Sequence, residues 1–252
     1  MLKIPNLDKI SSIFILSGAG IDAESGIKTF RASDGLWEGH DVTAVAHPDG
    51  FAKDRDLVYS FYNERRKQLF SPATKPNAAH YALVDLEKHY KVDIVTQNIS
   101  DLQQRAGSTS IIQIHGSLIE ARCLSENNHV LMWKKDLGSN DQCEICLSPL
   151  RPNIVWFSEE VMHLDLIQKK AINADLFVSI GTSNQVFPAN SLVSLFKQMN
   201  KPTIELNLEK TVNSNQFDFG IYNKPATIAC LLYTSDAADE GLGVDLGGRR
   251  II

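Results

Sequence analysis

The feature that most constrains this chain is a strand-like apolar run that leads directly into two closely spaced glycines. Ile13–Leu16 has the unbroken apolar character of a buried parallel strand. Gly18 and Gly20 follow it, and without side chains they allow the backbone to approach a ligand closely. Because backbone N–H groups at a strand-to-helix turn attract anions, the turn predicts a dinucleotide pyrophosphate site. A tight turn that serves packing alone is the alternative.

Apolar runs recur along the chain, with helix-like segments between them. The predicted strands are Ile13–Leu16, Asp93–Thr96, Ile111–Ile114, Leu176–Ile180 and Thr203–Leu206. The predicted helices are Leu57–Leu69, Ala78–His89, Leu164–Asn173 and Ser191–Gln198, and a short helix-like ESGI follows the glycine turn. This alternation predicts an α/β fold with a Rossmann-like parallel sheet flanked by helices. Residues 118–150 differ, because they hold three cysteines and a polar loop, and we interpret them as a small inserted module.

Composition narrows the class of protein. The 252 residues carry a formal net charge of -5 and no long basic run, which argues against nucleic acid as the main partner. No stretch approaches the roughly 20 apolar residues of a membrane helix, and the first residues lack an apolar signal core. Two of the four cysteines form a C-x-x-C pair, which suits a reducing compartment more than a disulfide framework. We therefore expect a cytoplasmic protein with no membrane partner, and its oligomeric state stays open.

The run that begins at Gly18 reads GAGIDAESGIKTFRASDGLW, and it resembles the first NAD loop of the sirtuins, the NAD-dependent protein-lysine deacylases. Four family-like blocks follow in order: TQNIS at Thr96–Ser100, HGS at His115–Ser117, GTSNQVFPA at Gly181–Ala189 and ELNLE at Glu205–Glu209. The resemblance extends from about Ser11 to Ala229. It departs from the family at Asp22, where serine is usual, and at Ser100, where aspartate is usual.

The resemblance implies a domain layout and a co-substrate, NAD. Residues 1–117 and 151–229 would form the Rossmann-like NAD-binding domain, with 31–75 as a helical segment on the substrate side and 118–150 as a zinc-ribbon-like module. The residues that match the family's NAD contacts are Gly18, Ala19, Gly20, Ile21, Asp22, Glu24, Thr29, Phe30, Arg31, Trp37, Gln97, Asn98, Ile99, Ser100, Gly181, Thr182, Ser183, Asn207, Leu208, Glu209 and Ala226.

Two residues match the family's catalytic positions. His115 matches the general base, and Asn98 matches a residue that contacts the ribose and an ordered water. In the implied reaction, the acyl oxygen of a modified lysine attacks the ribose carbon that carries nicotinamide, and the histidine then deprotonates a ribose hydroxyl. The products are free lysine, nicotinamide and 2′-O-acyl-ADP-ribose. Imidazole suits this role because it titrates near neutral pH. The remaining histidines lie in no such motif, and we interpret them as ordinary surface or core residues: His40, His47, His80, His89, His129 and His163.

The two departures from the family fall at positions that both face its nicotinamide pocket. One hypothesis is a reciprocal exchange, in which Asp22 supplies the carboxylate that position 100 has lost and Ser100 supplies the hydroxyl. The alternative is two unrelated changes that weaken the pocket, which would favour an NAD-binding protein with weak or no turnover. Mono-ADP-ribosyl transfer is a further alternative function.

Acylated lysine on proteins is the implied substrate, and Tyr62 and Arg65 bear on the choice of acyl group. Their spacing places both on one face of the predicted helix. Such a pair is commonly part of a solvated face, but here it matches the class III sirtuins, which prefer succinyl-, malonyl- or glutaryl-lysine. A guanidinium fork and a phenol donor suit a carboxylate. Val155, Trp156 and Phe157 match the family segment that binds the acyl-lysine backbone by strand addition, with an ordinary sheet strand as the alternative.

Three cysteines resemble part of the family's structural zinc site, whose pattern is C-x-x-C, a spacer of roughly twenty residues and a second C-x-x-C. They are Cys123, Cys143 and Cys146. The fourth cysteine is missing, because Glu126 stands where it would lie. A closed zinc site needs four ligands. Glu126 or His129 could complete the set, and the alternative is a degenerate site held by packing alone.

The segment Cys230–Ile252 breaks with the pattern before it. It has no amphipathic period, contains a Gly-Gly-Arg-Arg run and resembles the translation of a sequencing-library adaptor. We interpret it as a non-native tail and leave it out of the fold prediction, with a natural disordered tail as the alternative.

Overall fold

A six-stranded parallel sheet organises the fold. The structure is a computed structural model that describes residues 9–28, 36–37, 39–125, 128–185 and 187–223. Its strands are β1 (Ser12–Ser17), β2 (Leu36–Trp37), β3 (His40–Asp41), β4 (Lys91–Thr96), β5 (Ile111–Gln113), β6 (Gly116–Cys123), β7 (Val130–Met132), β8 (Leu150–Ile154), β9 (Leu176–Ile180), β10 (Thr203–Asn207) and β11 (Phe219–Tyr222). Its helices are α1 (Val42–Val45), α2 (Pro48–Lys53), α3 (Arg55–Leu69), α4 (Ala78–Leu86), α5 (Leu102–Ala106), α6 (Leu164–Asn173) and α7 (Ala189–Gln198).

The parallel sheet has the strand order β11-β10-β9-β1-β4-β5. In the register of β1, Ile15 pairs with Ile94 of β4 on one side and with Val178 of β9 on the other. The strand order reverses at β1, because the chain passes first to β4 and only later to β9. Such a reversal opens a crevice at the carboxyl ends of the strands, where Rossmann-like folds bind their ligands.

All the strands and helices predicted from the sequence are present, with some ends displaced. Helix α3 begins at Arg55 rather than Leu57, because the Asp54 carboxylate caps it by accepting the Leu57 N–H at 2.9 Å. The helix-like ESGI is shorter than an α-helix: it forms a 3-10 turn over Ala23–Ser25, which Gly26 ends with φ 85°. No helix within the described ranges is both long enough and apolar enough to cross a membrane.

Both faces of the parallel sheet are covered by helices. Side chains alternate along β1, so Ile15 and Phe14 lie on opposite faces. Ile15 packs in a cluster with Leu83 of α4, and Phe14 packs in another with Phe196 of α7. Burial on both faces explains why the strands are mostly apolar, and it confirms the predicted α/β class.

A second, antiparallel sheet, β7-β6-β8, overlaps the inserted region, but β6 begins at Gly116 and β8 continues to Ile154. It does not pack as a separate unit, because Val58 and Phe61 of α3 share one hydrophobic core with Leu118 of β6 and Leu150 of β8. Helices α1–α3 and the antiparallel sheet therefore form one layer beside the parallel sheet. The predicted domain limits, 1–117 with 151–229 and 118–150, stay a prediction.

Candidate active site

Two loops meet by direct backbone contact at the carboxyl ends of β1 and β9. The N–H of Gly18 donates to Ile180 O at 3.0 Å, and the N–H of Gly20 donates to Gly181 O at 2.7 Å. A Cβ atom on Gly20 would lie only 2.7 Å from Gly181 Cα, so the contact requires glycine. The two predicted NAD loops are therefore joined at the point where the strand order reverses.

Residues after β4 connect to both loops. Asn98 Nδ2 donates to Gly18 O at 3.1 Å, and Thr182 Oγ1 donates to Gln97 Oε1 at 2.7 Å. Asn98 and Thr182 are buried, so their side chains are held before any ligand arrives. Three blocks that are far apart in the sequence thus supply one hydrogen-bonded group.

Asp22 is a buried carboxylate between two side chains. Ser100 Oγ donates to Asp22 Oδ2 at 2.7 Å, and His80 Nε2 lies 3.0 Å from Asp22 Oδ1. His80 Nδ1 accepts the N–H of Asn77 at 3.2 Å, so in the neutral ring the proton is on Nε2 and points to Asp22. His80 is a core residue, as expected, and it also contacts the predicted site residue Asp22.

His115 lies just after β5, and a backbone carbonyl orients its ring. His115 Nδ1 lies 3.0 Å from Gln97 O, so Nδ1 carries the proton and Nε2 keeps its lone pair. Burial lowers the pKa of His115, and the hydrogen bond to Gln97 opposes this shift. The neighbouring Gly116 has φ 82°, and a Cβ there would collide with Asn153 O. Because the pKa of His115 is lowered, its ring is neutral near pH 7 and able to accept a proton.

The predicted substrate segment, Val155–Phe157, runs beside His115. Val155 N–H donates to His115 O and Phe157 N–H donates to Ala46 O, both at 2.9 Å. Strand β8 ends at Ile154, so the segment is not part of an ordinary sheet strand. Phe157 is 58% exposed, whereas Trp156 is buried.

Tyr62 and Arg65 are buried, so they do not belong to a solvated helix face. Trp156 Nε1 donates to Tyr62 OH at 3.0 Å, which joins α3 to the substrate segment. Burial raises the pKa of Tyr62, so its phenol stays neutral. Arg65 Nη1 donates to Phe61 O at 2.7 Å, and its guanidinium carbon lies 3.1 Å from the centre of the Phe61 ring.

The predicted adenosine side of the site follows β10. Asn207 Nδ2 donates to Thr182 O at 2.8 Å, and the next two residues, Leu208 and Glu209, are exposed. Glu205 lies beneath them, fully buried, and accepts hydrogen bonds from Asn184, Thr211, Ser214 and Tyr222. Glu205 has no predicted role in the site, although an acidic residue inside an apolar strand is a local signal for such an acceptor.

Three cysteines and one histidine form a cluster in the inserted region. Their ligand atoms all lie within 4.8 Å of one another: Cys123, His129, Cys143 and Cys146. A side-chain hydrogen bond between Cys146 and Ser125 is the main cause that lowers the pKa of Cys146, which favours its thiolate. Three thiols and an imidazole fit a closed tetrahedral zinc site, in which the metal would stabilise the fold. Of the two candidates for the fourth ligand, His129 lies in the cluster, and Glu126 lies outside the described residues.

Several predicted residues lie outside the described part of the chain. These are Thr29, Phe30, Arg31, Glu126, Ala226 and the segment Cys230–Ile252. Trp37 is described only by its backbone in β2. Ala19, Ile21, Glu24, Ile99 and Ser183 lie in or next to the joined loops. Their roles as NAD contacts stay a prediction.

Comparisons with known proteins agree with this geometry. The model of the Sir2 family matches residues 18–188. A relative named NAD-dependent protein deacylase, from Yersinia pseudotuberculosis serotype I (strain IP32953), is 48% identical over 219 residues, covering 84% of this chain and 78% of that protein. The crystal structure of a Sir2 homolog–NAD complex is 35% identical with a TM-score of 0.82 and covers 91% of each chain. A Sir2–p53 peptide–NAD+ structure is 27% identical with a TM-score of 0.74, covering 92% of this chain and 95% of that one. The chain belongs to the Sir2 family.

We expect the purified protein to contain about one zinc ion per chain, measured by inductively coupled plasma mass spectrometry. His129→Ala should lose most of this zinc and unfold at a lower temperature, because it removes one of four ligands. Glu126→Ala is the matched control and should retain the metal. Full zinc occupancy in His129→Ala would contradict the assignment.

Proposed function

We propose that this chain, an NAD-dependent protein-lysine deacylase, removes succinyl groups, and also malonyl and acetyl groups, from lysines of protein substrates. The products are free lysine, nicotinamide and 2′-O-acyl-ADP-ribose. The observation that carries the acyl preference is the burial of Tyr62 and Arg65 on α3, where Tyr62 contacts Trp156 of the substrate segment. A guanidinium held in place by Phe61 and a neighbouring phenol offer hydrogen-bond donors that suit a carboxylate on the acyl group.

The joined loops would bind NAD, and the half-buried His115 would transfer a proton. The loop at Gly18–Gly20, whose glycines let a ligand approach the backbone closely, would lie against the pyrophosphate of NAD, and Asn207 would contact the adenosine ribose. NAD supplies the ribose carbon from which nicotinamide departs. His115 then acts as the general base, because its Nε2 lone pair can take a proton from a ribose hydroxyl.

The pH dependence of kcat/KM tests the role of His115. A general base must be neutral, so the rate should rise with pH through the pKa of His115 and then level off. Burial lowers this pKa, so the midpoint of the acid limb should lie below about 6.5, the ordinary histidine value. A pH profile with an acetyl-lysine peptide checks this, and a midpoint above the ordinary value would refute the assignment.

The acyl preference is tested by Arg65→Met. Loss of the guanidinium should lower kcat/KM for a succinyl-lysine peptide by roughly 10- to 100-fold, since charged hydrogen bonds to a carboxylate are lost. The same variant should lose at most about threefold with an acetyl-lysine peptide.

Arg55→Met is the matched control for this test, because it makes the same change at an exposed position of the same helix. It should leave the ratio of the two activities unchanged. Equal losses for succinyl and acetyl peptides in Arg65→Met would show that Arg65 supports the fold and does not read the acyl group.

We also propose that Asp22 and Ser100 are a reciprocal exchange of the family's usual residues. Their contact of 2.7 Å supports this, because the pocket keeps one carboxylate beside one hydroxyl. His80 supports it further, since it donates to the other oxygen of Asp22.

A double-mutant cycle tests this exchange. Asp22→Ser should lower NAD turnover because His80 loses its acceptor, and Ser100→Asp should lower it because two carboxylates are brought together. The double variant restores one carboxylate and one hydroxyl, so it should recover part of the loss. Asp85→Ser makes the same change on the surface and should have no effect. Simple additivity of the two losses would refute the proposal.

The two alternative functions, NAD binding without turnover and mono-ADP-ribosyl transfer, can be separated from deacylation in one assay. The protein is incubated with an acyl-lysine peptide and NAD that is labelled in its ADP-ribose part. A protein that only binds NAD would release no nicotinamide, and a mono-ADP-ribosyltransferase would transfer the label to protein. A deacylase releases lysine and nicotinamide together. Acylated proteins of the cytoplasm are the proposed partners, a compartment that fits the absence of disulfides at Cys123, Cys143 and Cys146.

A further inference from the structure

The substrate segment Val155–Phe157 is anchored on two sides by its backbone. Val155 N–H donates to His115 O, and Phe157 N–H donates to Ala46 O. The first bond ties the segment to the proposed base, and the second ties it to the junction of α1 and α2. A shift of this segment would therefore alter the space beside His115.

The next residue, Ser158, has a left-handed backbone conformation. Its φ is 74°, a value that is unfavourable for a residue with a side chain. Residues with side chains persist in this conformation where neighbouring contacts hold them, and they cluster at functional sites. Ser158 Oγ has such a contact, because it lies 2.6 Å from His47 Nε2.

His47 is itself fixed at the start of α2. Its Nδ1 accepts the N–H of Asp49 at 3.2 Å and caps the helix. In the neutral ring the proton is therefore on Nε2, which donates to Ser158 Oγ. Since Ala46 and His47 are consecutive, one junction holds Phe157 by its backbone and Ser158 by its side chain. We call these two contacts, Phe157–Ala46 and Ser158–His47, the clasp.

We propose that Ser158 and His47 are positioning residues for the acyl-lysine peptide. Strand addition requires an extended backbone at a fixed position, and the clasp supplies it at the end of the segment. A segment that is already held loses less conformational freedom when the peptide binds. The clasp should therefore act on peptide binding and leave the NAD loops unaffected. This inference rests on the proposed deacylase function.

Three variants separate the hydrogen bond from backbone strain and helix capping. Ser158→Ala removes the hydroxyl and keeps the strained φ, whereas Ser158→Gly removes the hydroxyl and relieves the strain. His47→Asn keeps an acceptor that can cap α2, but it is too short to reach Ser158. In Ser158→Ala and His47→Asn, KM for the acyl peptide should rise roughly three- to tenfold, the range for one hydrogen bond.

Other readouts show that the effect is specific. In both variants kcat and the Kd for ADP-ribose should change by less than about twofold. Because both variants break the same hydrogen bond, KM for the acyl peptide in the double variant should be no higher than in the more affected single variant. Ser158→Gly should show a raised KM as well, because its flexible backbone is no longer held. An unchanged KM in Ser158→Ala and His47→Asn would overturn the proposal, as would an equal rise in the Kd for ADP-ribose.

A measurement without turnover tests the contact itself. The ¹⁵N NMR spectrum of His47 should show the proton fixed on Nε2 in the parent protein, and this signature should weaken in Ser158→Ala. If the parent protein shows the signature but releases no lysine from an acyl peptide, the proposed function fails while the contact stands. If the parent turns over and His47 shows no fixed proton, the clasp is refuted.

Discussion

The close backbone contact between the loops after β1 and β9 is the constraint on which the site depends. Gly20 N and Gly181 O are 2.7 Å apart, and a Cβ on Gly181 would lie 2.5 Å from Ile21 N in the facing loop. Because the loops touch, Thr182 reaches Gln97 across the sheet, and the carbonyl of Gln97 orients His115. One close approach thus sets the relative positions of both predicted NAD loops and of the proposed base.

The strands and the motif blocks could be predicted from the sequence because their signals are local. Apolar runs and glycine turns are complete within a few residues. His80 could not be predicted, because its partner Asp22 is 58 residues away and its local pattern is only a helix cap with Asn77. The sequence pattern does not indicate strand β11 for another reason: the strand has only four residues, and Gly220 interrupts its apolar pattern.

Two buried carboxylates hold opposite ends of the site. Asp22 lies between His80 and Ser100 at the predicted nicotinamide side, and Glu205 lies beneath the predicted adenosine side. Burial of a carboxylate is costly unless hydrogen bonds compensate, and both residues have several donors. Such saturated groups resist rearrangement, so the loops that they hold are arranged before NAD binds.

The most direct test of the catalytic role is a product analysis by mass spectrometry. The protein is incubated with NAD and a succinyl-lysine peptide, and the three products are quantified against isotope-labelled standards. We predict nicotinamide, free-lysine peptide and 2′-O-succinyl-ADP-ribose in equal amounts. Nicotinamide release without the acylated ADP-ribose, or ADP-ribose binding with no product at all, would contradict a deacylase.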